Sequence, residues 1–123
     1  MKMSEDKPAV STLISRYGEG FIEVEQEKHR CAIILMPERP VRPWPVAGHE
    51  ELVLENFSLL LEFDPEVILL GTGGNLYFPS AEISRYFLTR NIGFEVMPSA
   101  AACRTYNILA SEGRQVLAAL LPP

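Results

Sequence analysis

Hydrophobic and polar positions first alternate along this chain, then cluster, then recur at helical spacing, and each pattern predicts a different element. Val10 to Ile14 and Phe21 to Val24 read as extended segments on either side of Tyr17-Gly18-Glu19-Gly20, where two glycines signal a hairpin. In the second of these, Ile22 and Val24 face one way while Phe21, Glu23 and Glu25 face the other. A third run, His29 to Met36, ends in Ala-Ile-Ile-Leu-Met and predicts a well-buried strand. Together the three suggest an antiparallel meander. Pro37, Pro40, Pro43 and Pro45 then predict a stiff crossing segment that is neither strand nor helix. Leu52 to Leu61 carries apolar residues at helical spacing and predicts a short helix closed by Asp64-Pro65.

Strand and helix alternate in the second half. Val67 to Leu70 is a continuous apolar strand followed by Gly-Thr-Gly-Gly-Asn. Ser80 is an N-cap, with Glu82 in the first turn and Ile83, Tyr86 and Phe87 on the apolar face, and Gly93 fits the stop. Phe94 to Met97 is the next strand, Pro98-Ser99 opens a helix through about Glu112, and Gly113 ends it. Gln115 to Leu121 is apolar enough to be covered on both faces. The expectation is an α/β (α+β) protein of three β+β/α layers. Its mixed sheet has an N-terminal antiparallel meander, C-terminal β-α-β-α-β crossovers and helices packed on one side. Residues 1–9 read as a tail and 10–122 as one domain.

Composition narrows the function classes. With 123 residues, one domain is the prior. The formal charge of −5 makes phosphate backbones poor partners, so nucleic acid is not expected. The longest apolar runs, Ala32 to Met36 and Val116 to Leu121, are far shorter than the ~20 residues of a membrane span. Met1 to Pro8 has no apolar core of a secretory signal, and Glu5 and Asp6 do not suit a mitochondrial presequence. Two separated cysteines, Cys31 and Cys103, suit a reducing compartment, so a cytoplasmic location is expected.

From Leu69 onward the residues resemble one family. Leu-Leu-Gly-Thr-Gly at 69–73, Phe78-Pro79, Gly93 to Met97, and above all Ala-Ala-Ala-Cys-Arg-Thr-Tyr-Asn from Ala100 to Asn107 carry the likeness. The chain is similar to a widespread bacterial domain-of-unknown-function family of the Mth type. Its eukaryotic relatives include an assembly factor of mitochondrial respiratory complex I and an adipogenesis-associated Mth-domain protein. The resemblance implies a three-layer β+β/α fold and no established enzymatic activity.

The residues that could carry chemistry fall in two loops and one helix. Gly71, Thr72 and Gly73 follow one strand and Ser99 follows another; if the strands are parallel neighbours, both loops share one sheet edge. Amides near Ser99 would open a helix N-terminus toward an anion, with Arg104 as the balancing guanidinium. Alternatively the glycines only make turns, and Arg104 caps a neighbouring loop or pairs with Glu112. Cys103 beside Arg104 is either a lowered-pKa thiol or a small buried side chain. Tyr106 and Asn107 share that helix, and an Asn in a helix interior predicts a specific hydrogen bond. No metal-ligand spacing, nucleophile elbow or cofactor fingerprint is present, so no metal, no cofactor and no enzymatic activity are expected. The proline-spaced Arg39, Arg42 and Trp44 could present a polyproline II ligand, but a lone tryptophan more simply anchors the segment to the sheet. The leading expectation is a protein-binding, assembly-type domain, with a homodimer allowed. The alternative is an anionic-ligand module or cryptic enzyme at the Gly71–Asn75 and Ser99–Arg104 edge. An open pocket there would favour the ligand, and an exposed apolar patch would favour the partner.

Overall fold

The computed structural model describes residues 12–123; the expected tail and the expected strand start at Val10 lie outside the described residues. The described chain forms β1 (Ile14–Gly18), β2 (Phe21–Val24), β3 (Glu27–His29), β4 (Ile33–Leu35) and β5 (Arg42–Pro43). These are followed by α1 (Leu54–Ser58), β6 (Val67–Thr72), α2 (Ala81–Leu88), β7 (Gly93–Met97), α3 (Ser99–Ser111) and β8 (Val116–Leu121). Two 3-10 turns, His49–Glu51 and Leu59–Phe63, flank α1.

The meander is real but differs in its third strand. β1, β2 and β3 pair antiparallel in a small sheet, and the β2–β3 turn puts Glu25 and Gln26 at positive φ, as a type I′ hairpin requires. The predicted run His29 to Met36 splits. Its polar start, through His29, stays in the meander, while Ile33–Leu35 crosses to the large sheet. A run that is apolar on both faces needs cover on both faces, which a three-stranded sheet packed against α3 on one face does not offer. The proline-rich segment also contributes to the sheet: Arg42 and Pro43 pair with Ile34 and Ile33 as a two-residue edge, where a missing N–H does no harm. Trp44 is buried, donating its indole N–H to the Asn56 carbonyl at 2.9 Å.

The large sheet runs β5-β4-β8-β6-β7. β8 is central; β6 lies between β8 and β7 and is parallel to both, and β4 pairs antiparallel with β8. The helices do not all pack on one side, contrary to the expectation from sequence. α2 buries Ile83 and Phe87 against Ile68 and Leu70 of β6. α3 buries Ala102, Cys103, Tyr106 and Ala110 against Val67 and Leu69 on the other face, together with Ile14, Ile22 and Val24 of the meander. The strand order supplies the reason. The connection from β6 to β7 steps outward, and that from β7 to β8 steps back across β6. Two crossovers of one hand running in opposite directions must put their helices on opposite faces.

Helix ends follow local chemistry. The Ser80 hydroxyl accepts the Glu82 N–H at 3.2 Å, an N-cap as read from sequence. The C-terminal stop of α2 is Asn91 rather than Gly93: Asn91 has φ +62°, and the Ile92 N–H reaches the Phe87 carbonyl at 3.0 Å in a Schellman closure. Gly93 instead begins β7, where a Cβ would stand 3.2 Å from Val67 Cγ2. On the α2 face, Phe57 is fully buried at the centre of an aromatic cluster, with Trp44 at 5.4 Å, Phe94 at 5.8 Å and Phe87 at 6.4 Å, all edge-on. Phe57→Ala is expected to cost about 3–5 kcal/mol in urea unfolding, because three rings lose their common neighbour.

Candidate functional site

The two loops predicted to share an edge do meet. β6 and β7 are parallel neighbours whose carboxyl ends lead into opposite faces, so Thr72–Asn75 and Pro98–Ser99 lie at the switch point of the sheet. The polar groups there are turned toward one another. The Ser99 N–H donates to the Gly73 carbonyl at 2.9 Å, and the Gly73 N–H donates to Ser99 Oγ at 2.8 Å. Ser99 Oγ–H in turn donates to the Leu121 carbonyl at the end of β8. Thr72 Oγ1 donates to the Asn75 carbonyl at 2.6 Å and accepts the Tyr77 N–H at 3.2 Å. Thr72 and Ser99 are both fully buried.

Gly71 makes this closeness possible. A Cβ at that position would lie 2.7 Å from Leu120 Cδ2, 2.8 Å from Ser99 Oγ and 3.1 Å from the Ser99 backbone. Gly73, at φ +95°, supplies the left-handed turn that returns its amide to Ser99.

Beyond Ser99, the α3 residues singled out from sequence do not join this edge; they face the meander. Arg104 Nη1 donates to the Tyr17 hydroxyl at 2.8 Å. The Tyr106 hydroxyl donates to the Thr12 carbonyl at 2.8 Å. Asn107 closes a two-way bond with one residue of β1, accepting the Ile14 N–H at 2.9 Å and donating to the Ile14 carbonyl at 2.8 Å. Asn107 thus pairs with β1 as a neighbouring strand would. Cys103 is buried, and desolvation pushes its thiol up to about 12, against a smaller lowering by the Arg104 guanidinium. Burial likewise raises the Tyr106 phenol. Among the described residues no group of three or more His, Cys, Asp or Glu is placed to hold a metal ion, and no helix is long and apolar enough to cross a membrane.

Sequence reasoning missed the loop beyond the glycines. Leu76, Tyr77 and Phe78 are consecutive, apolar and exposed, Phe78 at 69%. The His49 ring stacks on Tyr77, with centroids 4.3 Å apart and planes 12° from parallel, and His49 Nε2 lies 2.7 Å from the Thr72 carbonyl. A depression of about 300 Å³ lies beside them, lined by His49, Thr72–Asn75 and Pro122. The available signal was three apolar residues directly after Gly-Gly-Asn, in a segment with no strand or helix pattern to bury them.

Comparison with known proteins adds the context. The family profile described as "Protein of unknown function (DUF498/DUF598)" matches residues 14–121. NADH dehydrogenase (ubiquinone) 1 alpha subcomplex assembly factor 3 of Danio rerio is 42% identical over 95 residues, covering 76% of this chain and 53% of that protein. The chain spans about half the length of the assembly factors it matches. Among solved structures, a Bordetella parapertussis protein superposes with a TM-score of 0.87 at 40% identity, over 94% of this chain and 98% of that one. A Bordetella pertussis protein described as a Mth938-like domain gives 0.81 at 33% identity, over 99% and 92%.

Three outcomes follow from this geometry. Asn107→Ala strips Ile14 of both backbone partners and is expected to lower stability by about 1–3 kcal/mol in urea melts, with tryptophan fluorescence as the probe. In the folded protein at neutral pH a maleimide is expected to label exposed Cys31 and to spare Cys103 until denaturant is added. Because the folded thiol pKa is raised, the stabilisation due to Cys103 is complete below its ordinary 9.0 and is lost as pH climbs toward 12. Cys103→Ala is therefore expected to flatten the loss of stability over that range.

Proposed function

We propose that this chain, which belongs to the DUF498/DUF598 family of proteins of unknown function, is a non-catalytic partner-binding domain that assists assembly of a respiratory complex. The observation that carries this reading is the use already made of the chemistry-bearing groups. Ser99, Thr72 and Gly73 satisfy one another at the switch point, and Arg104, Tyr106 and Asn107 bind the meander. In this reading Gly71, Thr72, Gly73 and Ser99 shape the edge, Cys103 packs beneath it, and the α3 residues hold the small sheet in place. The assembly-factor relatives, whose names denote help in building a dehydrogenase subcomplex, support the same direction. Two free cysteines, one of them exposed, suit a cytoplasmic site of action. One domain, 10–122, carries the activity.

The depression beside His49 and Gly73–Asn75 favours a second reading, a small anionic ligand at the same edge. Thermal shifts across a panel of phosphates, nucleotides and carboxylates separate the two: partner binding predicts no shift, and any saturable stabilisation by one anion would move the function to the ligand. For the assembly reading, the full chain is tagged at its C-terminus, crosslinked mildly in its own cells and captured. Enrichment of respiratory NADH dehydrogenase subunits over a tag-only control is expected; their absence from repeated captures would sink the assembly role.

A further inference from the structure

The exposed loop has an electrostatic setting that defines what it can dock against. Between Arg42 and Arg85 the chain has no Lys or Arg, yet it carries seven carboxylates, at Glu50, Glu51, Glu55, Glu62, Asp64, Glu66 and Glu82. All seven are exposed, and among the described residues only Glu66 forms an ion pair with a basic side chain. This stretch covers the His49–Glu51 turn, α1, the Leu59–Phe63 turn, the loop after β6 and the start of α2; Asp64 and Glu66 precede β6, at the end of the strand away from that loop, and the Arg39 and Arg42 guanidinium groups stack on Phe63. Leu76, Tyr77 and Phe78 fall between Glu66 and Glu82 in sequence, and the carboxylates near them are Glu50, Glu51 and Glu82. The turn bearing Glu50 and Glu51 is brought against the loop by the His49–Tyr77 stack, and Glu82 follows Phe78 by four residues.

We propose that Leu76, Tyr77 and Phe78 are the docking element of the partner-binding domain, and that their counterpart is a protein surface with an apolar pocket rimmed by Lys or Arg. The inference rests on the partner-binding reading above and names the chemistry of the partner. Three exposed apolar side chains in a row recover transfer free energy only in an apolar pocket. The carboxylates of Glu50, Glu51 and Glu82 beside the loop are complemented by cations and repel phosphate, so an anionic bilayer or a nucleic acid is the wrong surface. Tyr77 is also held in advance: the stack on His49, itself hydrogen-bonded to Thr72, lowers the ordering cost of association.

The test places a photoreactive benzoylphenylalanine at Phe78 of the full chain in its native cells, with Ile108, an exposed apolar position on α3, as the control. The protein crosslinked at 78 and not at 108 is identified, produced, and titrated against wild type and variants of unchanged melting temperature. Phe78→Ser is expected to weaken binding roughly tenfold or more. Raising NaCl from low salt to about 0.5 M is expected to weaken wild-type binding by roughly the same factor. The double change Glu50→Lys with Glu82→Lys should weaken binding at low salt and reverse the salt dependence. Salt-independent binding would overturn the cationic rim, and so would flotation of the wild-type protein with phosphatidylglycerol vesicles, which would assign the loop to a membrane. If tag-based capture recovers a partner but position 78 never crosslinks to it, the docking loop is wrong and the partner-binding reading survives. If neither recovers one, both fall.

Discussion

The hydroxyl of Ser99 is the point on which the architecture turns. It is buried at the first residue of α3, accepts an N–H from the loop after β6 and donates to the last carbonyl region of β8. One side chain therefore fixes the start of a helix, the end of the central strand and the end of its neighbour. Such a junction can exist only because Gly71 has no side chain to occupy the same space. A buried hydroxyl costs little when both its donor and its acceptor capacity are used, and much when either is orphaned. The same residue thus explains why the switch point of the sheet, usually the place for a ligand, is closed by the protein's own groups.

The second ordering device is the α3 face toward the meander. A three-stranded sheet this small has little core of its own and is stable only when packed on something larger. Ile22 and Val24 supply the apolar contact, while Arg104, Tyr106 and Asn107 supply direction and register. The Cys-Arg-Thr-Tyr-Asn run that made the sequence recognisable therefore has a physical content of its own: every polar member described here reaches back to a residue between Thr12 and Tyr17.

Much of this was legible in the sequence because the determinants were local. Ser80 as a cap, Gly113 at the end of α3, the alternation of Ile22 and Val24, and the doubly apolar β8 all follow from one residue and its near neighbours. The failures share a different cause. That Ile33–Leu35 leaves the meander depends on its pairing with β8, more than eighty residues away. That α2 and α3 take opposite faces depends on strand order, which periodicity does not encode. The sequence distance of Arg104 from Ser99 points to the loop edge, whereas the position of Tyr17 decides where the guanidinium goes. The site was legible as a meeting of two loops and illegible as a surface, since exposure of Leu76 to Phe78 is a property of the packed molecule.

The Asn107–Ile14 bonds between α3 and β1 and the Tyr106 bond to Thr12 just before β1 join residues 93 and 94 positions apart, and β4 finds its main partner only in the final strand. On the ribosome the meander strands and β4 have no finished surface to settle on until α3 and β8 have emerged. During synthesis the apolar Ile33–Leu35 segment must wait in the open, so the newborn protein depends on a rapid final collapse or on a chaperone's shelter, while the mature one depends on neither.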